Sequence, residues 1–216
     1  MSNLLIVESH NDKYFIEALS ESLKIDIKIN QPICKIDDYE CLNGLSEKKL
    51  FECLDEVKFD DYTKIGIILD ADKEGIENRL ALIDSVVKQF DDTIEIKNIN
   101  TPIRSDKLNI EFVCYITNID GYGELETLLK TIKTEDSTFA DCLSAWKDCL
   151  IASGKKISDK DFDKFWVNNY LRYDTCTKKE QTQADRKCKN EIAIKKPIWN
   201  FEHKALTDLK AFLQLF

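Results

Sequence analysis

The pattern of apolar and polar positions changes character along the chain. In the first two-thirds, short, dominantly apolar runs bounded by polar residues predict buried strands. They are "LLIV" at 4–7, "KIGIIL" at 64–69 and "IEFVCYI" at 110–116, with a further short strand over 94–99. The run at 64–69 is apolar from Ile65 onward, as a central parallel strand requires. Residues 25–36 begin by alternating, and Pro32 suggests an edge or a bulge. Between these runs the spacing turns helical. Phe15, Leu19 and Leu23 predict a helix over about 11–23, with Ser9 or Asn11 as its cap. Leu50, Leu54 and Val57 mark a second helix. Ile76, Leu80, Ile83, Val87 and Phe90 mark a third, and a fourth begins near Gly123.

From about residue 135 only helical spacing remains. Phe139, Leu143, Trp146 and Leu150 predict one apolar face. Phe162, Phe165 and Trp166 predict another, and Leu206, Leu209, Leu213 and Phe216 a last one. Strand and helix in alternation, followed by helices alone, predict an α/β fold. Its parallel sheet would be flanked by helices over 1–134, with a helical C-terminal extension over 135–216 packed on it.

With 43% hydrophobic and 33% charged residues, the composition is that of a globular chain. No apolar run is long enough to span a membrane, and the N-terminus lacks the pattern of a signal peptide. No membrane association and a cytoplasmic location are therefore expected. Eight cysteines are present without a CxxC pair, and His10 and His203 are the only histidines, which argues against zinc. The cysteines read as reduced thiols, with Cys142 and Cys149 on one helix face as packing residues. The net charge of −9 opposes nucleic acid at long range. Residues 172–196, however, carry a local +4 and leave −13 for the rest. Such a run reads either as a solvated face or as a phosphate-contacting arm, in which Lys187, Lys189, Lys195 and Lys196 would bind DNA or RNA.

Three acidic groups fall at the ends of predicted strands. Glu8 follows "LLIV", Asp70 and Asp72 follow "GIIL", and Glu124 and Glu126 follow "VCYITNIDGYG". Ligands of an open parallel sheet bind at the carboxyl ends of its strands. In an extended stretch Asp70 and Asp72 would point the same way. At about 4 Å they would repel by about 4 kcal/mol at an intermediate dielectric, unless a cation lay between them. Mg²⁺ is the usual partner of oxygen ligands near phosphate. The competing reading makes Asp72 a helix N-cap and the later acids a helix-dipole effect. No GxxxxGK[ST] is present, which removes the P-loop reading.

The segments "LLIVESHNDKYFIEAL", "IGIILDADKEGIENRL" and "GYGELETLL", with the ending "WNFEHKALTDLKAFLQL", resemble the Toprim family. Within it the likeness is to small stand-alone Toprim-like proteins related to OLD-type nucleases. The resemblance leaves 135–195 unexplained. It implies that Glu8, Asp70 and Asp72 form the catalytic and metal-binding set for Mg²⁺ or Mn²⁺. Glu126 would add a ligand and Asp12 would support. Many Toprim domains carry Gly after the Glu, where this chain has Ser9. The implied function is a nuclease or related enzyme of nucleic-acid phosphodiesters. The alternative is a non-catalytic Toprim-like module that binds nucleic acid, a protein partner or a second copy. Trp146, Trp166 and Trp199 could anchor such an interface, although core packing is the simpler role for each.

Overall fold

A computed structural model of the protein describes residues 2–34, 45–183 and 187–216. The architecture is α/β, built on a five-stranded sheet of order β2-β1-β3-β5-β4. The strands are β1 (Ser2–Val7), β2 (Lys28–Ile29), β3 (Tyr62–Asp70), β4 (Ile103–Ser105) and β5 (Ile110–Thr117). All neighbours run parallel except β4, which closes the edge antiparallel to β5. The most apolar run therefore forms the central strand, with "LLIV" beside it.

Alternate residues of each strand enter opposite layers, as the pleat demands. On one face Leu4, Ile6, Ile65, Ile67 and Cys114 meet α2 (Glu47–Asp55) and α3 (Gly75–Val87) through Leu50, Leu54, Ile83 and Val87. On the other, Leu5, Val7, Ile68 and Tyr115 meet α1 (His10–Leu23) and α4 (Leu125–Ile132). The C-terminal helices share this second core. Trp166 of α7 (Asp159–Asn169) and Phe212 of α10 (Thr207–Leu213) are buried in it. Between them lie α8 (Lys178–Gln181) and α9 (Asn190–Ala193).

Several expectations need correction. Residues 94–99 form no strand. Ile94 and Ile96 are buried, but the Ile96 amide donates to Asp84 Oδ1 of α3 at 2.7 Å, so the segment is tied to a helix. The edge strand is β4 instead. The stretch 25–36 supplies only the two-residue β2 within its described part, and residues 35 and 36 lie outside the described residues. The spacing from Phe139 to Leu150 makes two helices, α5 (Thr138–Asp141) and α6 (Leu143–Ala152). None of the α6 residues is buried, and Phe139 and Trp146 are exposed. Periodicity defines a face but not whether anything covers it. Trp166 and Trp199, by contrast, pack in the core.

The cysteines also differ from expectation. Cys176 and Cys188 form a disulfide, and Cys34 is disulfide-bonded as well. The fold brings residues twelve apart to a Cα separation of 6.3 Å, within bridging range, and no local spacing announces this. Cys142 and Cys149 are free and exposed rather than packed. Cys41 lies outside the described residues.

Candidate metal and active site

The parallel strands end together, and the carboxylates that follow them collect there. Glu8 leaves β1 and accepts a hydrogen bond at Oε2 from the Asp70 amide at 3.3 Å. This ties the end of β1 to the end of β3. Ser9 caps α1, and its hydroxyl and amide both donate to Asp12 Oδ2, at 2.6 and 2.8 Å. Ser9 has extended backbone (φ −127°), so this loop does not require glycine. Asp12 thereby has a structural role as the reciprocal half of a capping box.

Beyond β3 the chain turns sharply. Asp72 has φ +49°, in the left-handed region, and its backbone pairs with Gly123 through bonds of 2.8 and 2.9 Å. Asp70 and Asp72 therefore do not lie on one extended stretch, which corrects the premise that they point the same way. Asp72 is not a cap either. α3 begins at Gly75 without any side-chain cap, and Asp72 instead pairs with Arg79 of α3 and Lys160 of α7. The β3–α3 turn is thus bonded to the loop that leads into α4, and this places Glu124 and Glu126 in the same locality. Asn11 donates to Glu126 Oε1 at 3.3 Å and accepts from Asn190 of α9 at 3.2 Å.

The electrostatics are those of crowded, dehydrated acids. Glu8, Asp12, Asp70, Asp72, Glu124 and Glu126 are all buried. Burial, then the charges of Asp12, Glu8, Asp72 and Glu126, push Asp70 well above the usual carboxylate range. Burial and then Asp72 raise Glu8, against the opposing pull of Arg79 and Lys160. Burial lifts Asp12 and Glu124 each to about 7 and also raises Glu126. For Lys160 burial acts downward, but the hydrogen bond and charge of Asp72, with Asp70 and Glu8, outweigh it and raise the ammonium.

Asp70 is 8% exposed, and its Oδ1 is buried without a hydrogen-bond partner. Buried carboxylate oxygens are ordinarily satisfied, so this atom calls for one. Among the described residues no group of three or more His, Cys, Asp or Glu side chains is arranged to hold a metal ion. The donor chemistry, all oxygen with surplus negative charge and one orphaned oxygen, still suits a hard divalent cation.

The sequence-predicted Glu8, Asp12, Asp70, Asp72 and Glu126 are thus brought into one electrostatic cluster. The four lysines lie elsewhere. Lys195 pairs with Glu17, Lys196 with Glu180 at 3.2 Å and Lys189 with Glu191 at 3.1 Å, while Lys187 is exposed. Sequence reasoning missed Arg79, Lys160 and Asn11 as site residues. Arg79 lies one turn into the helix after the DxD, which is a local signal. Lys160 has none, since it arrives from a helix 88 residues away.

None of the described helices is long and apolar enough to cross a membrane. No curated protein and no solved structure matches the chain. The family described as protein of unknown function (DUF3226) matches residues 2–216, and the chain belongs to that family.

Proposed function

We propose that this is a Toprim-like, Mg²⁺-dependent protein that hydrolyses nucleic-acid phosphodiesters. The observation that carries the reading is the unpartnered Oδ1 of Asp70, buried among carboxylates whose mutual repulsion lacks a sufficient counter-charge. The order of the acids supports it: a Glu after β1 and a DxD after β3, as the Toprim resemblance implies. Asp70 and Glu8 would hold the cation, with Asp72 and Glu126 completing the set. Mn²⁺ would serve in place of Mg²⁺. When bound, the ion would polarise a phosphoryl oxygen and acidify water.

The chain's own residues have defined parts. The Asp70 amide orients Glu8 through its Oε2, and Asn11 orients Glu126. Glu124, raised to about 7 and lining the adjacent cavity, has a suitable pKa to exchange a proton near neutral pH. Arg79 and Lys160 hold Asp72. Calorimetric titration of Mn²⁺ into the wild type and Asp70→Asn tests the metal site, and Mg²⁺-dependent cleavage of a labelled oligonucleotide tests the activity. Wild-type binding and cleavage, both lost in Asp70→Asn, are expected. Equal Mn²⁺ binding by both proteins would remove the site.

A second reading has an observation of its own. α6 buries none of its residues although it is largely apolar, and Phe139, Trp146, Ile151, Phe165 and Tyr173 are exposed around it. A non-catalytic module that binds a protein partner or a second copy would use such a face. Analytical ultracentrifugation of the wild type and an Ile151→Glu variant separates a self-associating chain from a monomer.

A further inference from the structure

Beside Asp72 opens a cavity of about 1020 Å³, and an aromatic ring stands at its wall. Tyr122 is 61% exposed, and the backbone that carries it is closely held. It ends a tight turn in which Ile119 and Tyr122 exchange backbone bonds of 2.7 and 3.2 Å. The two central residues, Asp120 and Gly121, both have positive φ, as this hairpin turn requires. The next residue, Gly123, is the one bonded twice to the backbone of Asp72. The Tyr122 ring also borders Gly75, where an added Cβ would meet ring carbons Cε1 and Cδ1 at 3.2 and 3.7 Å. Gly75 (φ +80°) thus supplies both the turn into α3 and the seat for the ring.

Resting on the reading above, we propose that Tyr122 is a stacking platform for a nucleobase, and that the substrate is single-stranded nucleic acid. Three observations favour this over a duplex. A flat, largely exposed ring, carried on a turn whose backbone is bonded next to a carboxylate cluster, offers a face to a flat group, and unpaired bases present theirs. Among the described residues the cavity lining carries five carboxylates against Lys73, Arg79 and Lys160, a balance that opposes the many phosphate contacts of a duplex backbone. With the chain at −9 overall, affinity has to come from a contact that charge does not oppose, and stacking is one. Every base has a π-face, so the preference among sequences should be weak.

The test measures anisotropy of fluorescein-labelled pentathymidylate and of an abasic sugar-phosphate chain of equal length. The full chain is used with Ca²⁺ in place of Mg²⁺ so that the probes stay intact. Tyr122→Ala should weaken pentathymidylate binding by about tenfold, while Tyr122→Phe stays within about twofold of the wild type. The abasic chain should bind the wild type and Tyr122→Ala alike, at the weaker level. The proposal is overturned if Tyr122→Ala retains wild-type affinity, if the abasic chain binds the wild type as tightly as pentathymidylate, or if neither probe binds. Calorimetry with Mn²⁺ on the same samples keeps the two readings apart. Intact Mn²⁺ binding without a Tyr122 effect would sink the stacking platform alone, whereas absent Mn²⁺ binding would sink the metal site.

Discussion

Asp70 and Asp91 are both buried aspartates, and their surroundings could hardly differ more. Asp91 lies just beyond α3 with its carboxylate fully engaged. Oδ1 accepts from the Thr93 amide at 3.0 Å and the Thr93 hydroxyl at 2.6 Å, and Oδ2 accepts from the Ser105 hydroxyl at 2.5 Å. These bonds, that of Ser105 foremost, hold its carboxyl below the usual range. Asp70 has an orphaned oxygen, acidic neighbours and a carboxyl raised by burial. Burial of an acid is therefore not a functional signal in itself. Asp91 is complete within the fold and joins β4 to the end of α3. Asp70 is incomplete, and its deficit is what a cation would remedy.

The sharpest way to break this contrast is to neutralise each aspartate in turn at pH 8. Asp70→Asn should abolish Mn²⁺ binding, weakening it by more than about hundredfold, since even supporting residues of metal sites are worth 10–100-fold. It should also raise the metal-free melting temperature, because the cost of burying this acid among other acids, as a charge or as a retained proton, is removed. Asp91→Asn should lower the melting temperature with and without Mg²⁺ and leave Mn²⁺ affinity unchanged, because an amide cannot accept all three bonds. If both variants shifted stability in the same direction, the distinction between the two sites would collapse.

A smaller effect should come from the cation that already sits in the cluster. A metal at the proposed site would compete with Lys160 for Asp72, so Lys160→Met should tighten Mn²⁺ binding by about tenfold while lowering metal-free stability. Calorimetry and thermal melts read the two changes separately. Weaker Mn²⁺ binding in Lys160→Met would mean that the lysine assists the site rather than occupying it.

Protons provide a third probe. Asp12 and Glu124, raised to about 7, retain protons in the folded state that the unfolded chain has already released above about pH 4. Their contribution to stability is thus full below about pH 4, is lost as pH rises towards about 7, and stays lost above it. Metal-free protein should melt lower at pH 8 than at pH 5 by at least about 3 °C, given 2–4 °C per kcal/mol for a domain of this size. Mg²⁺ should reduce the difference, since it favours the ionised carboxyls. A metal-free melting temperature that rises over this interval would show that the acids are not held protonated.

The least consequential change should be on α6. Ile151 is 59% exposed, and Ile151→Ser should alter stability by no more than about 0.5 kcal/mol, measured by urea unfolding. A larger loss would mean that the fold depends on this face after all.

Much of this molecule follows from local chemistry. The apolar stretches at 4–7, 65–69 and 112–116 suit strands buried on both faces of a parallel sheet, and they lie buried in one. The carboxyl ends of such strands share one edge, so Glu8, Asp70 and Asp72 were bound to meet once the strands were placed. The cap of α1 was narrowed to Ser9 or Asn11, because capping is decided within four residues, and it is Ser9. The short strand was misplaced because Ile94 and Ile96 alternate like a strand, yet the Ile96 amide is taken by the Asp84 side chain of α3 rather than by a neighbouring strand. The face of α6 was misread because periodicity carries no information about what a helix meets. Only the tertiary structure could bring Lys160 to Asp72, join Cys176 to Cys188, or decide that Asp91 is satisfied while Asp70 is not. Those outcomes depend on which distant side chains arrive at a point in space, and residue spacing along the chain does not encode arrival.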